Sequence, residues 1–243
     1  MRLITAADII KKPLTIIAGP RGAGKTNLAL NLAIDLAATS KPVMLVDLDA
    51  LSPDLRSSNY EDELAFGKVE LITPPLADVT PGAPAPSPEV AAAFVHKGPV
   101  IFDVGGADVG ATALSAYRDQ LQQAARAGEL SFYYVVNHNH DLTETAAQAA
   151  TVAHEIEQTT SAAFTGIINN SHLREETDLA CVAHGYVFGQ EVAALLRLPL
   201  LATTLPNELA LAARATPEFT AACTPAAPAT TADFYPVTRL VLP

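Results

Sequence analysis

The sequence has no tryptophan, only two cysteines and few charged residues. Cys181 and Cys223 are too few and too far apart for a disulfide framework or a paired-cysteine metal site. No apolar run approaches the roughly 20 residues that span a bilayer, and the first residues lack the basic-then-apolar pattern of a secretory signal. These absences predict a cytoplasmic globular protein without a membrane segment.

Positive charge is also scarce: 15 basic residues stand against 26 acidic ones, which gives a formal net charge of −11. Such a surface repels nucleic-acid phosphates and anionic lipids, so we expect neither as a partner. With 243 residues, of which 49% are apolar, the chain is long enough to bury a core. We expect one domain over residues 1–243.

Short apolar runs alternate along the chain with alanine-rich helical patterns. This alternation predicts a doubly wound, mostly parallel α/β sheet with helices on both faces. The predicted strands are residues 14–18, 43–47, 69–72, 100–103, 132–137, 164–169 and 200–204. The predicted helices are residues 25–38, 88–95, 110–127, 144–158 and 179–196. Ligands of such sheets bind beyond the carboxyl ends of the strands, so strand-end residues are the candidates for function.

Two segments rich in proline and alanine interrupt this alternation. Residues 73–89 are expected to form a surface loop, and residues 216–236, which are also rich in threonine, a tail. The alternative for each is a mobile lid or a segment that docks a partner.

The strongest motif is Gly19-Pro20-Arg21-Gly22-Ala23-Gly24-Lys25-Thr26, which has the spacing of a P-loop and lies between a predicted strand and a predicted helix. Its glycines let main-chain N–H groups converge on phosphate, beside the positive end of the helix. Lys25 is placed to reach the β- and γ-phosphates, and the Thr26 hydroxyl to bind Mg²⁺. Asn27 follows in the first helical turn. The expected ligands are a nucleotide and Mg²⁺.

Carboxylates follow two of the later predicted strands. Asp47 and Asp49 end one strand, and Asp103 ends the run Val100–Asp103 in a Walker B pattern. Carboxylates at these points can hold the metal or orient the water that attacks the γ-phosphate. Gly105 and Gly106 then allow main chain to approach that phosphate and to move when it leaves.

The sequences GPRGAGKT, DLDALSPDLRSS, IFDVGG and GIINNSH occur in the order found in MinD/ParA-type P-loop ATPases of the SIMIBI class. The chain resembles this group from residue 14 to 206, and most closely a branch described as MinD/ParA-like nucleotide-binding proteins. The resemblance implies that Lys25 and Thr26 bind phosphate and metal, that Asp49 is the switch I aspartate, and that Asp103 is the Walker B aspartate. It also implies an adenine contact from Asn170, with Asn169 in reserve, and closure over the base near Pro206.

The sequence departs from this group at Pro20. MinD and ParA carry a lysine at this position that acts on the nucleotide of the partner subunit, whereas here the nearest cation is Arg21. A planar guanidinium on a different backbone position is not equivalent to a lysine. The nucleotide site is therefore expected to be complete within one chain, while a homodimer stays an open alternative.

Two further patterns bear on the ligands. His138 and His140 have a spacing that suits a metal, although no third ligand lies nearby in the sequence and a polar loop is the alternative. No NKxD guanine signature is present, which favours ATP over GTP. We therefore expect a slow ATPase switch that acts on an unknown protein partner. The alternatives are an amide-forming ligase or transferase like the dethiobiotin and cobyrinate synthetases, and a nucleotide-binding scaffold with little hydrolysis.

Overall fold

The computed structural model describes residues 1–39, 42–48, 64, 68–73, 87–106, 109–224 and 232–240. Within these residues nine strands form one sheet in the order β1-β9-β8-β7-β6-β2-β5-β3-β4, and all neighbouring strands are parallel. The strands are β1 Arg2–Leu3, β2 Leu14–Ala18, β3 Val43–Asp47, β4 Val69–Ile72, β5 Val100–Asp103, β6 Leu130–Val136, β7 Gly166–Asn169, β8 Leu200–Pro206 and β9 Asp233–Val237. The predicted doubly wound α/β fold is confirmed.

Helices cover both faces of the sheet. In the described residues they are α1 Ala6–Ile9, α2 Lys25–Ala38, α3 Pro88–Ala93, α4 Val109–Ser115, α5 Arg118–Arg126, α6 Ala146–Thr160, α7 Leu179–Leu196, α8 Ala210–Ala215 and α9 Pro217–Ala222. The apolar sides of α1 and α2 pack on one face. Those of α3 to α6, together with part of α7, pack on the other. The bounds of α2 and α7 coincide with the predicted helices.

The central strand β2 shows why most positions in the strands are apolar. Ile16 and Ile17 are both fully buried, yet they belong to different apolar clusters on opposite faces of the sheet. Successive side chains of a strand point to opposite faces, so a strand covered on both sides is apolar at most positions.

One predicted helix is wrong. Residues 110–127 form two helices, α4 and α5, that meet at Tyr117, whose backbone is not helical (φ −109°, ψ 25°). The Tyr117 ring stacks on Phe94, and its hydroxyl accepts a 2.8 Å hydrogen bond from the main-chain N–H of Ser87. These tertiary contacts fix Tyr117 and interrupt a run that local helix propensity favours.

The tail expected at residues 216–236 is also wrong for the described part of that segment. It contains α9 and then β9, which pairs with β8 on one side and β1 on the other. Phe234 and Tyr235 are buried there at 0% and 2% exposure. Burial of these two rings offsets the cost of ordering a segment rich in proline and alanine.

The other proline-rich segment lies largely outside the described residues. Residues 74–86 of the expected loop at 73–89 are among those not described. Ser87 caps α3 through a hydrogen bond that its hydroxyl accepts from Val90 N–H, and Pro88 opens the helix. Proline suits this position because its missing N–H would have no partner in the first turn.

Candidate functional site

The P-loop joins β2 to α2 at the carboxyl edge of the sheet, as predicted. Gly19 follows β2 directly, Ala23 is fully buried, and Gly24 immediately precedes the helix. Gly22 and Gly24 have φ angles of +83° and +78°, a conformation that L side chains rarely adopt. Glycine is therefore needed at these two positions for the loop to curl. In this conformation the N–H groups of the loop can surround an anion.

Lys25 and Thr26 begin the first turn of α2 and are nearly buried, at 5% and 8% exposure. The Lys25 ammonium donates a 2.9 Å hydrogen bond to the carbonyl of Pro20, which lies across the loop. Among the described residues no side chain caps this helix, and the positive end of a helix favours a bound anion. Arg21, by contrast, is exposed to solvent.

Asp47 and Asp103 lie side by side at the ends of β3 and β5. Their Cα atoms are register partners in the parallel ladder, and their side chains are 4% and 0% exposed. Leu48 N–H donates a 2.8 Å hydrogen bond to the carbonyl of Asp103, which fixes the two strand ends together. Asp49 lies outside the described residues. Two carboxylates and the Thr26 hydroxyl are oxygen donors of the kind that magnesium prefers.

Gly105 and Gly106 follow Asp103 and lead into α4. The carbonyl of Gly106 accepts a 3.0 Å hydrogen bond from Gly110 N–H, and Gly105 packs directly against Gly110. The segment that follows Asp103 is therefore held by the start of α4.

Asn170, just beyond β7, contacts the P-loop itself. Its side-chain nitrogen donates a 2.7 Å hydrogen bond to the carbonyl of Ala23, and its oxygen accepts one of 2.7 Å from the Thr204 hydroxyl. Asn170 is 5% exposed and Thr204 is 3% exposed. Through Asn170, the end of β8 is connected to the loop that would hold phosphate.

Asn169 lies deeper than Asn170 and is fully buried. Its amide donates to the Thr203 hydroxyl at 3.4 Å, and its oxygen accepts a 2.6 Å hydrogen bond from the Ser171 hydroxyl. Gly185 of α7 passes so close that an added β-carbon would lie 2.5 Å from Ser171 Cβ. The structure thus places Asn169 between the sheet and α7, whereas Asn170 faces the P-loop.

Two imidazoles pack against the outside of the P-loop. The rings of His140 and His172 occupy the space that side chains at Gly22 and Gly24 would fill. Burial, and then the charges of Arg174 and Arg239, lower the pKa of His172 below its ordinary value. This imidazole is therefore neutral near pH 7.

The paired histidines of the sequence have other contacts. Nδ1 of His138 lies 3.1 Å from the carbonyl oxygen of Glu144. Nδ1 of His140 accepts a 3.2 Å hydrogen bond from Leu142 N–H. In the part of the chain that the structure describes, no three residues of the types His, Cys, Asp or Glu cluster as a metal site would require.

Asn27 and Pro206 lie at the rim of the site. Asn27 Oδ1 accepts a 2.9 Å hydrogen bond from Leu240 N–H, and Pro206 ends β8 immediately before Asn207. Sequence reasoning missed Thr204, His172 and the segment around Leu240. Thr204 had a detectable signal, because a threonine pair inside an otherwise apolar strand end is unusual, but Leu240 had none.

Helix α7 is long and apolar enough to cross a membrane, judged by length and composition alone. In the structure Val182, Phe188 and Val192 are buried within the domain. The helix also packs against α6 and against β7 and β8.

Solved structures with a similar fold include an FtsY protein and a signal recognition particle protein. FtsY from Mycoplasma mycoides has a TM-score of 0.51 at 15% identity, with 82% of this chain and 59% of that chain covered. The signal recognition particle 54 kDa protein from Aeropyrum pernix K1, solved in complex with GDP, has a TM-score of 0.51 at 16% identity, with 81% of this chain and 43% of that chain covered. This chain therefore spans only part of either relative, and at these identities the likeness concerns the fold.

A search of curated proteins found no match. The family model described as "CobQ/CobB/MinD/ParA nucleotide binding domain" matches residues 14–195, from the start of β2 almost to the end of α7. The matched region contains the P-loop, both buried aspartates and Asn170. Since it covers most of the sequence, the chain belongs to the CobQ/CobB/MinD/ParA family of nucleotide-binding P-loop proteins.

Proposed function

We propose that this chain is a single nucleotide-binding domain that binds Mg-ATP and hydrolyses it slowly, and that hydrolysis changes its affinity for a protein partner. The observation that carries the proposal is the position of Lys25 and Thr26. Both are buried at the start of α2, behind a loop whose glycines adopt positive φ, and α2 packs on the strands that end in Asp47 and Asp103.

Within this proposal each group has a defined task. The N–H groups of Gly22 to Thr26 and the Lys25 ammonium bind the phosphates. Thr26, Asp47 and Asp103 would hold the magnesium ion, which neutralises phosphate charge. Asp49 would orient a water molecule for in-line attack on the γ-phosphorus, and the products are ADP and inorganic phosphate.

The preference for adenine rests on the sequence, which contains no NKxD guanine signature. The carboxylate of that signature is the group that recognises the two neighbouring N–H donors of guanine. Because the signal recognition particle protein of similar fold was solved with GDP, the affinities of this chain for ATP and GTP have to be compared directly.

Calorimetric titration with ATP, ADP and GTP in the presence of Mg²⁺ tests the proposal. We expect the wild type to bind ATP and Lys25→Ala to lose most of that affinity. Lys12→Ala is the matched control, because Lys12 also donates to a main-chain carbonyl, that of Leu130, at the opposite edge of the sheet. Equal ATP affinity in the wild type and Lys25→Ala would contradict the proposal.

Phosphate release then separates the switch from its alternatives. A slow ATPase releases phosphate from ATP without any acid substrate. An amide-forming ligase would release it only when a suitable carboxylic acid and an amine donor are added, and a scaffold would release almost none in either case. The assay is run with and without a panel of small dicarboxylic acids together with an ammonium salt.

A further inference from the structure

We propose that residues Thr238–Leu240, here named the strap, close the rim of the nucleotide site and slow the release of bound nucleotide. This inference rests on the proposed function, because it requires a nucleotide at the P-loop. The strap follows β9 directly, and the carboxyl end of β9 lies at the same edge of the sheet as the P-loop.

The first contact joins the strap to the P-loop helix. Thr238 N–H donates to Asn31 Oδ1 at 2.8 Å, while Asn31 Nδ2 donates to the Thr238 carbonyl at 2.9 Å. One turn earlier, Leu240 N–H donates to Asn27 Oδ1 at 2.9 Å. Residues four apart lie on the same face of a helix, so the two asparagines hold the strap along the first two turns of α2.

The second contact joins the strap to the loop after β7. Arg239 donates a 2.8 Å hydrogen bond to Glu175 in an exposed ion pair. The charge of Arg239 also acts on His172, which packs against Gly24 of the P-loop. The strap is thus coupled to the segment that carries Asn170.

The third contact joins the strap to the loop after β8. Asn207 is the residue after Pro206, and its Nδ2 donates a 2.7 Å hydrogen bond to the Thr238 hydroxyl. Three residues therefore connect the start of α2, the loop after β7 and the loop after β8. In an open parallel sheet these are the segments that border the ligand crevice.

The strength of these contacts suits a gate rather than a permanent closure. Four of the five hydrogen bonds are exposed and the one from Leu240 is part-buried. Exposed hydrogen bonds and ion pairs contribute little individually. Together they fix the spacing of the three bordering segments before the nucleotide binds, which favours retention of the bound nucleotide. Because the nucleotide must separate those segments in order to leave, it is held until the strap opens.

The test is the dissociation rate of a fluorescent ADP analogue, chased with excess ADP in a stopped-flow instrument. Asn31→Ala removes both Asn31–Thr238 hydrogen bonds, and Arg239→Gln removes the ion pair. We expect faster dissociation in both variants, on the order of tenfold for Asn31→Ala. Gln190→Ala is the control, because its side chain donates to the Tyr186 hydroxyl within α7 and has no part in the strap. It should release the analogue at the wild-type rate.

Hydrogen exchange distinguishes a gate from a purely structural tether. In the wild type, ADP should slow exchange of the Thr238 and Leu240 amides more than that of the β9 amides at Phe234 and Tyr235. Wild-type dissociation rates in both strap variants, or equal effects of ADP on the strap and β9 amides, would refute the role of the strap and leave the proposed function standing. Failure of the wild type to bind the analogue would overturn the proposed function, and the strap with it.

Discussion

The side-chain amide of Asn170 donates a 2.7 Å hydrogen bond to the main-chain carbonyl of Ala23, in the middle of the P-loop. The other end of the same amide accepts a hydrogen bond from Thr204. An asparagine at the end of β7 therefore determines the position of a loop that follows β2. The two strands are separated in the sheet by β6.

We predict that Asn170→Asp weakens nucleotide binding by about ten- to a hundredfold, because a carboxylate would face the Ala23 carbonyl without a donor. Calorimetric titration with ADP measures the change. Thr204→Val should weaken binding less, and Thr204→Ser, which keeps the hydroxyl, should bind with wild-type affinity. Unchanged binding in Asn170→Asp would show that the loop does not depend on this contact.

Asp103→Asn and Asp49→Ala are each expected to leave nucleotide bound while lowering single-turnover hydrolysis by a factor of about 10²–10⁴. Asp103 is fully buried next to Asp47, and its replacement keeps the shape but removes the charge. If one variant retains activity, it should be Asp103→Asn, since Thr26 still binds the metal. Asp119→Asn, on the exposed side of α5, is the control. Wild-type rates in both site variants would refute the assigned roles.

Pro20 leads to a prediction about protein concentration. Proline has a fixed φ and no N–H, and the Pro20 carbonyl accepts hydrogen bonds from Lys25 and from Ala23 N–H. A cation supplied by a partner subunit contributes about 10³–10⁵ in rate, and this position cannot supply one. We expect the turnover per molecule to be slow and independent of protein concentration. Sedimentation and turnover measured over a wide range of protein concentration test this. A dimer that forms only with ATP and raises turnover would contradict the prediction and show that Arg21 supplies the cation across the dimer.

His172 gives a prediction about pH. Its folded-state pKa is lowered, chiefly by burial, so the unfolded chain binds a proton more readily. The free energy of unfolding should therefore fall as the pH drops below the unfolded value of about 6.5. Urea unfolding at pH 7.5 and 5.5 should show a smaller loss for His172→Gln than for the wild type. Equal losses would show that this imidazole is not shielded from protonation.

Local pattern determined most of the fold. Strands that are apolar at almost every position and alternate with helical segments permit few solutions other than a parallel sheet covered on both faces, and the sheet was predicted on that basis. The P-loop was also readable from sequence, because its function requires glycines and a lysine at fixed spacing along one continuous stretch of chain. The sequence predicted that Asp47 and Asp103 both end strands at this edge, whereas their pairing in the ladder is a finding of the structure.

Only the tertiary structure decided the relationships between distant segments. Tyr117 divides a helix because its ring and hydroxyl have partners near residues 87–94, and β9 forms because Phe234 and Tyr235 find a buried site beside β8. The strap is held to α2 by hydrogen bonds between residues more than 200 positions apart. A sequence pattern records periodicity within one segment, whereas such contacts depend on which surfaces the folded chain brings together.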